Sequence, residues 1–417
     1  MDILDWLTDA VVIAAAVGVL MLLWRPGISN SRNWRATVTP LASIIGSGFL
    51  VVAPLLDHTV GNWAIWAMLG IVSLAYAVGG AVRYNIRHVE KIVDDRATDG
   101  WVDDSLKWLE RLSKLALALA YVIAITFYLE LLAAFVLRPF GVLTDVWQKA
   151  IATALVAFIG IVGYTRGLSR LEVLEKYSVD GKLAIIAGLL IGLVLVNGQQ
   201  LLNGTWAPAG LDVEWNVDTL RQLLGAFLIV QGFETSRYMG NVYDAEERVR
   251  TMRYAQLLSS GIYVVFIGLA TVLFADFGAI SETGIIALSE QVATALPALL
   301  IIGAAMAQFS AAVADTLASG GLVESATHGA VSHRQVYLAV MLLAAIVLWS
   351  SHIFAIIAYA SRAFALYYAI QCAMAALRSA LAPKPERSHR RAVLFSVLAL
   401  AMLFTTIFGI PAETVSR

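Results

Sequence analysis

Residues 41–50 read Leu41-Ala42-Ser43-Ile44-Ile45-Gly46-Ser47-Gly48-Phe49-Leu50, and residues 227–237 read Phe227-Leu228-Ile229-Val230-Gln231-Gly232-Phe233-Glu234-Thr235-Ser236-Arg237. Each is an apolar run interrupted by glycine. In hydrocarbon such an interruption frees backbone N–H and C=O groups that lipid cannot satisfy, and it is tolerated where it lines a solvated site. A half-helix N-terminus there favours a carboxylate, and freed carbonyls favour an ammonium or a cation. The alternative reading is packing, because small residues let two helices approach closely. Two breaks five spans apart match what an inverted repeat places at corresponding positions.

The rest of the chain supports a membrane setting. Its 417 residues are 59% hydrophobic and 14% charged, with mean hydropathy +0.77; soluble domains carry about 25% charged residues. The apolar residues fall in runs of the length that crosses about 30 Å of hydrocarbon as a helix. The spans read as 3–24, 38–56, 61–84, 113–138, 146–165, 180–197, 219–240, 255–276, 294–325, 334–350, 352–378 and 391–410. Asp2, Asp5 and Asp9 precede the first run, where a signal peptide would be basic, so it reads as a retained helix.

Composition also bounds function. A net charge of −1 leaves no basic footprint for nucleic acid. The one cysteine, Cys372, forms no internal disulfide, and the six histidines show no metal-ligand spacing. No metal and no cofactor is expected. There is no GxxxxGK[ST] loop and no nucleophile–base pair, which argues against an ATP-driven machine and against an enzyme.

Orientation follows from lysine and arginine in the short loops. Arg25, Arg32, Arg35, Arg83, Arg87, Lys91, Arg96, Lys107, Arg111 and Lys114 share one face if spans alternate. Arg166, Arg170, Lys176, Arg248, Arg250, Arg253, Arg334, Arg378, Lys384, Arg387, Arg390 and Arg391 fall on the same face. The opposite loops carry Asp57, Asp212, Glu214, Asp218, Asp276 and Glu282. Both termini are therefore expected outside, with a bacterial plasma membrane the expected setting. The outer loop 198–218 holds Trp206 and Trp215, suited to the interfacial belt, and the inner loop 85–112 is expected to carry a short amphipathic helix near 105–112.

Ionisable residues inside spans need a partner or a function, since a charge at the helix centre costs about 2.5–3.5 kcal/mol on insertion scales. Glu130, Lys182, Glu234, Arg237, Asp315 and Arg362 are the candidates. Lys182 stands near the start of its span and has snorkelling to the interface as its alternative. Glu234 and Arg237, three apart, have mutual pairing on one helical face as theirs. Glu130 has a pairing with a neighbouring helix.

At these residues the chain resembles the amino acid–polyamine–organocation (APC) superfamily, whose members share the LeuT fold. Gly46-Ser47-Gly48 is similar to the break in the family's first core helix. The run ending in Gly232-Phe233-Glu234, followed by Asp244-Ala245-Glu246-Glu247-Arg248, resembles its sixth. Gly163-Tyr164-Thr165-Arg166-Gly167 leading to Gly181-Lys182 resembles its fourth-to-fifth connection. The resemblance implies an all-α polytopic protein of about twelve transmembrane helices with a 5+5 inverted-repeat core. Residues 1–36 would hold an extra N-terminal helix and linker, 37–197 and 219–378 the two five-helix repeats around the outer loop 198–218, and 379–417 an inner loop and last helix.

It also implies roles. Backbone N–H groups at Ser47 and Gly48 would hold a substrate carboxylate, carbonyls near Leu228 and Gln231 would receive an α-ammonium, and Phe233 would gate the site. Ser43, Gly46, Gly232 and Ser236 complete the expected binding set. Lys182 resembles a lysine that replaces a sodium ion in sodium-independent relatives, and Glu234 is a second proton-relay candidate. Arg237, Ser310, Asp315, Glu130 and Arg362 are further polar positions in the membrane. The implied function is alternating-access transport of an amino acid or related zwitterion, coupled to protons or run as exchange, and independent of sodium. The expected partners are that substrate, the proton and the lipid bilayer. Alternatives on the same fold are transport of an inorganic cation, an organic amine or an organic anion, or a non-transporting sensor or accessory subunit.

Overall fold

A computed structural model describes residues 3–95, 100–168, 173–210, 213, 215–276, 281–383 and 387–412. Asp2, Arg96, Arg170, Asp212, Glu214 and Lys384 lie outside the described residues, as do the side chains of Asp5, Lys176, Leu228 and Asp276.

The described residues form α-helices and short 3-10 turns. The first half contains α1 (Ile3–Trp24), α2 (Pro26–Ser29), α3 (Arg32–Ile44), α4 (Ser47–Val60), α5 (Ala64–His88), α6 (Glu90–Asp94), α7 (Trp101–Leu137), α8 (Asp145–Arg166) and α9 (Val173–Leu202). The second contains α10 (Val217–Gly225), α11 (Ala245–Ala270), α12 (Gly284–Val292), α13 (Leu296–Ala326), α14 (His333–Ser350), α15 (Ile353–Leu381) and α16 (His389–Phe408). Among the described residues, 10 helical stretches are long and apolar enough to cross a membrane. One of them, Ser47–His88, passes through Gly61, whose φ of 51° takes the chain out of helical geometry between α4 and α5. The expected spans 38–56 and 219–240 are the two built from broken pieces rather than one helix. The chain is an integral membrane protein.

Several boundaries differ from the sequence expectation. No separate amphipathic helix occupies 105–112; these residues are the first turns of α7, which carries neither glycine nor proline to stop it. The acid- and arginine-rich stretch before the expected span 255–276 is likewise helical. Asp244 caps α11, accepting a hydrogen bond from the Glu247 N–H at 2.9 Å, and Glu246 and Glu247 place negative charge in its first turn. Helix α9 continues to Leu202, which shortens the outer loop.

Helix α7 runs through the middle of the bundle, its most apolar window 83% buried, and packs on α8, α13 and α15. Helix α1 lies along α9, where a side chain at Gly188 would meet the Val12 carbonyl at 3.1 Å. Its two ends are tied down: the Asp9 carboxylate accepts from the Ala295 N–H at 3.1 Å and from the Thr294 hydroxyl, and Trp24 donates to Asp180 at 3.1 Å. Helix α16 packs on α15, and Arg362 donates to the Thr406 carbonyl at 2.7 Å. Arg362 is therefore a strut between these helices, satisfying a carbonyl that α16 leaves free near its C-terminus.

At the end of the bundle that carries the basic loops, arginines pair with carboxylates across helices. Arg87 forms a two-bond pair with Glu246 at 2.7 and 2.6 Å, and Arg248 does so with Glu90 at 2.9 and 2.7 Å. Arg32 reaches Glu247 at 2.9 Å. The planar guanidinium matches a carboxylate edge to edge, which fixes orientation as well as contact. On the exposed Glu246, this pairing holds the carboxyl below its ordinary range.

Candidate functional site

The two broken spans meet face to face. Helix α3 ends where Ile45 turns to φ −86°, ψ 56°, and Gly46 (φ −93°, ψ −138°) leads into α4. The interruption is thus Ile45-Gly46, with Ser47 and Gly48 already in the first turn of α4. In the second span, α10 stops at Gly225, followed by 3-10 segments Phe227–Val230 and Phe233–Tyr238 on either side of Gln231-Gly232. The unwinding is longer than the sequence suggested, and no α-helix resumes before α11. Gly232 has φ 117°, open to glycine alone among ordinary residues, and an added Cβ would lie 2.5 Å from the Ser43 carbonyl carbon. At Gly48 an added Cβ would lie 2.6 Å from the Ile229 Cα. Backbone touches backbone at both points.

A Gly232→Ala variant is therefore expected to cost about 1–3 kcal/mol from backbone strain alone, with the contact to Ser43 added. A clear drop in melting temperature in detergent is the expected reading; an unchanged melt would contradict this geometry.

The freed carbonyls of α3 have specific partners. Lys182 on α9 donates from Nζ to the Ala42 carbonyl at 2.8 Å. The Tyr263 hydroxyl on α11 lies 3.0 Å from the Ile44 carbonyl and 2.7 Å from the Ile229 carbonyl, joining the two unwound segments through one side chain. A cation and a donor at a helix C-terminus answer the partial negative charge that collects there. Snorkelling is not what Lys182 does: its ammonium turns inward to the break.

On the second segment, Glu234 accepts from the Gly232 N–H at 2.9 Å and from the Tyr368 hydroxyl. Thr235 donates from its hydroxyl to the Gly232 carbonyl at 2.8 Å.

A cavity of about 50 Å³ lies against these breaks, lined by Ser43, Gly46, Ser47, Lys182, Gln231, Gly232, Glu234, Ser310 and Asp315, with Tyr121, Tyr128 and Ser178. Nine positions singled out from the sequence share one wall. Ser43, Tyr121, Thr235 and Asp315 also line a larger vestibule of about 550 Å³. Lys114, Asn241 and Ser325 bound it further along, at the end of the bundle that bears the basic loops. Its volume is within the range that holds small molecules.

A family model described as an APC superfamily transporter matches residues 26–409. The chain belongs to the APC superfamily of transporters. The matched stretch begins after α1 and takes in both broken spans, the cavity and α16. This APC transporter is also similar to a protein of Aquifex aeolicus (strain VF5) named only as uncharacterized, 42% identical over 413 residues, or 98% of each chain.

Other expected site residues of this APC transporter lie off the cavity wall. Gly48 is a packing glycine against Ile229. Leu228 stands in the first 3-10 segment, and its side chain lies outside the described residues. Phe233 is fully buried and stacked on Tyr368 with ring centroids 4.8 Å apart, part of the core rather than a gate over the cavity. Ser236 is buried beside it in sequence and does not line the cavity. Glu130 lies away from the cavity on α7, where its backbone carbonyl faces the Gln148 amide at 3.4 Å. Arg237 does not pair with Glu234. It forms a buried ion pair with Glu110 of α7 at 2.8 Å and donates to Gln371 of α15. The i,i+3 geometry that would bring Glu234 and Arg237 together belongs to an α-helix, and this segment is not one.

Sequence reasoning missed Tyr263, Tyr121, Tyr128 and Tyr368. A tyrosine in an apolar run is a common core residue, and the available signal was only that its hydroxyl needs a partner in hydrocarbon.

Proposed function

We propose that this APC superfamily member moves an amino acid or a related small zwitterion by alternating access, coupled to protons or run as exchange, without sodium. The observation that carries the reading is the Lys182 ammonium 2.8 Å from the Ala42 carbonyl, at the break of the first discontinuous span and on the wall of the central cavity. A fixed positive charge there serves where a coupling cation would otherwise satisfy freed carbonyls. The first turn of α4 has no side-chain cap, so its N–H group at Ser47, on the cavity wall, is the donor for a substrate carboxylate. The carbonyls of the Gln231-Gly232 segment receive the α-ammonium. Movement of the broken-helix bundle against the rest would expose the cavity to each side in turn, and the vestibule supports an arrangement open toward the basic-loop end.

Purified protein screened by thermal shift against amino acids, amines, organic acids and salts tests this directly. A ligand at 100 times its Kd stabilises by about 2.7 kcal/mol. One class of zwitterion is expected to raise the melting temperature equally with and without sodium. A strict sodium requirement would overturn the role given to Lys182, and a shift confined to inorganic ions or organic acids would overturn the cargo.

A further inference from the structure

We propose that the groove between α5 and α11 binds the phosphate headgroup of an anionic phospholipid, held between Arg83 and Arg253 in the leaflet at the basic-loop end. The site is on the outside of the bundle, apart from the central cavity, and does not rest on the reading of the cargo.

Arg83 is the anchor. It stands just over a turn before the end of α5 and is only 7% exposed. Its guanidinium donates to the Tyr76 carbonyl at 3.2 Å and to the Gln256 side-chain oxygen on α11, and it lies 4.7 Å from the Tyr76 ring centroid. All of these partners are neutral. Among the described residues no carboxylate pairs with Arg83 or with Arg253. Arg253 and Arg87 stand close enough to Arg83 to repel it, and Arg87 already has Glu246 as its counter-charge. A buried cation beside a second unpaired cation is expensive at the edge of hydrocarbon, and one anion between them relieves both.

The surface places that anion at headgroup level. Along α11, Arg250, Arg253 and Tyr254 are exposed, followed by Leu257, Leu258 and Val265. The exposed face changes from basic and aromatic to apolar between Tyr254 and Leu257, the order of an interface followed by hydrocarbon. From Leu257 to the end of the span at Phe274 is about 27 Å at about 1.5 Å per residue, close to the thickness of a bilayer core. Arg253 therefore stands at the boundary where phosphates lie, with Arg83 joined to the same helix through Gln256. Gly80 leaves the guanidinium open on one side: an added Cβ there would meet only the Arg83 Nη2, at 3.7 Å. Basic pockets between membrane helices take anionic headgroups, and the planar guanidinium matches phosphate oxygens in pairs. A headgroup held here braces α11, because Gln256 also donates to the Ala75 carbonyl of α5 at 3.0 Å and lies two turns before Tyr263.

The test titrates delipidated protein in detergent with phosphatidylglycerol or with phosphatidylcholine of the same chains, reading retained lipid by native mass spectrometry and the melting temperature. Wild-type protein is expected to prefer phosphatidylglycerol by about 25-fold, about five-fold for each arginine. Arg253→Gln is expected to lower that preference about five-fold. Gly80→Leu, which keeps both charges and covers the guanidinium, is expected to abolish it. Equal retention of the two lipids by the wild type overturns the proposal, and so does a preference that both variants keep unchanged. Inorganic phosphate that raises the melting temperature as far as phosphatidylglycerol does would also overturn it, by assigning the arginines to a soluble anion. Should one variant fail to fold, the wild-type preference and the other variant decide.

Discussion

Lys182→Ala is expected to abolish pH-dependent uptake while the protein still folds. The ammonium is the fixed charge at the end of α3, 2.8 Å from a carbonyl that no other described group satisfies. Losing it removes a charge-assisted hydrogen bond and leaves that carbonyl unmet, at a cost of about 1–3 kcal/mol. That is a modest loss for a bundle of this size and a decisive one for a break whose geometry makes the binding site. Lys182→Arg separates charge from proton exchange. A guanidinium stays protonated at every working pH, so the Arg variant is expected to keep ligand-induced stabilisation and exchange while losing the dependence on a proton gradient. Uptake assays across pH values in proteoliposomes measure both. Full pH-dependent uptake by the Ala variant would remove Lys182 from the mechanism.

The largest stability effect is expected at Glu110. Its carboxylate and the Arg237 guanidinium are 5% and 4% exposed, paired at 2.8 Å. The pair is embedded in a polar network: Gln371 accepts from Arg237 and from Asn85 (2.8 Å) and donates to Ser113 (3.0 Å), while the Arg237 carbonyl accepts from Arg248 at 2.7 Å. Glu110→Gln leaves a buried guanidinium without its counter-charge, and breaking one side of such a pair costs about 3–5 kcal/mol. The melting temperature in detergent is expected to fall steeply. Replacing both partners together, Glu110→Leu with Arg237→Met, is expected to recover much of the loss, because the penalty comes from the stranded charge rather than from the missing bond. A single variant that melts like the wild type would mean the pair contributes nothing to the folded state. The network has a second consequence: it ties the unwound second span to α5, α7 and α15 at the basic-loop end, so any motion of that span must break or carry it.

Much of the transport core was legible before the structure. Gly46 and Gly232 announced the two interruptions, because glycine in an apolar run is the residue through which a helix can leave its geometry, and lipid permits that only beside a cavity. Ser43, Ser47, Gln231 and Glu234 followed from proximity to those interruptions in sequence. Lys182 was singled out by resemblance, and the structure brings its ammonium to 2.8 Å from the Ala42 carbonyl. The remaining misses share a cause. Gly48 and Phe233 lie as close to the breaks in sequence as the residues that line the cavity, yet Gly48 faces Ile229 and Phe233 faces Tyr368.

The amino-acid sequence by itself determined which segments enter the membrane, where two of them break, and which polar residues had to find partners. Those follow from run length, from glycine, and from the cost of an unsatisfied group in hydrocarbon, all local properties of the chain. Only the tertiary structure decided the partners. Arg237 chose Glu110, 127 residues away, over Glu234 three residues away, because its segment is unwound and the helical neighbour rule lapses there. Tyr263 joins Ile44 to Ile229, positions separated from it by 219 and 34 residues. Periodicity says that a face is buried; which atom meets which is set by how whole helices cross.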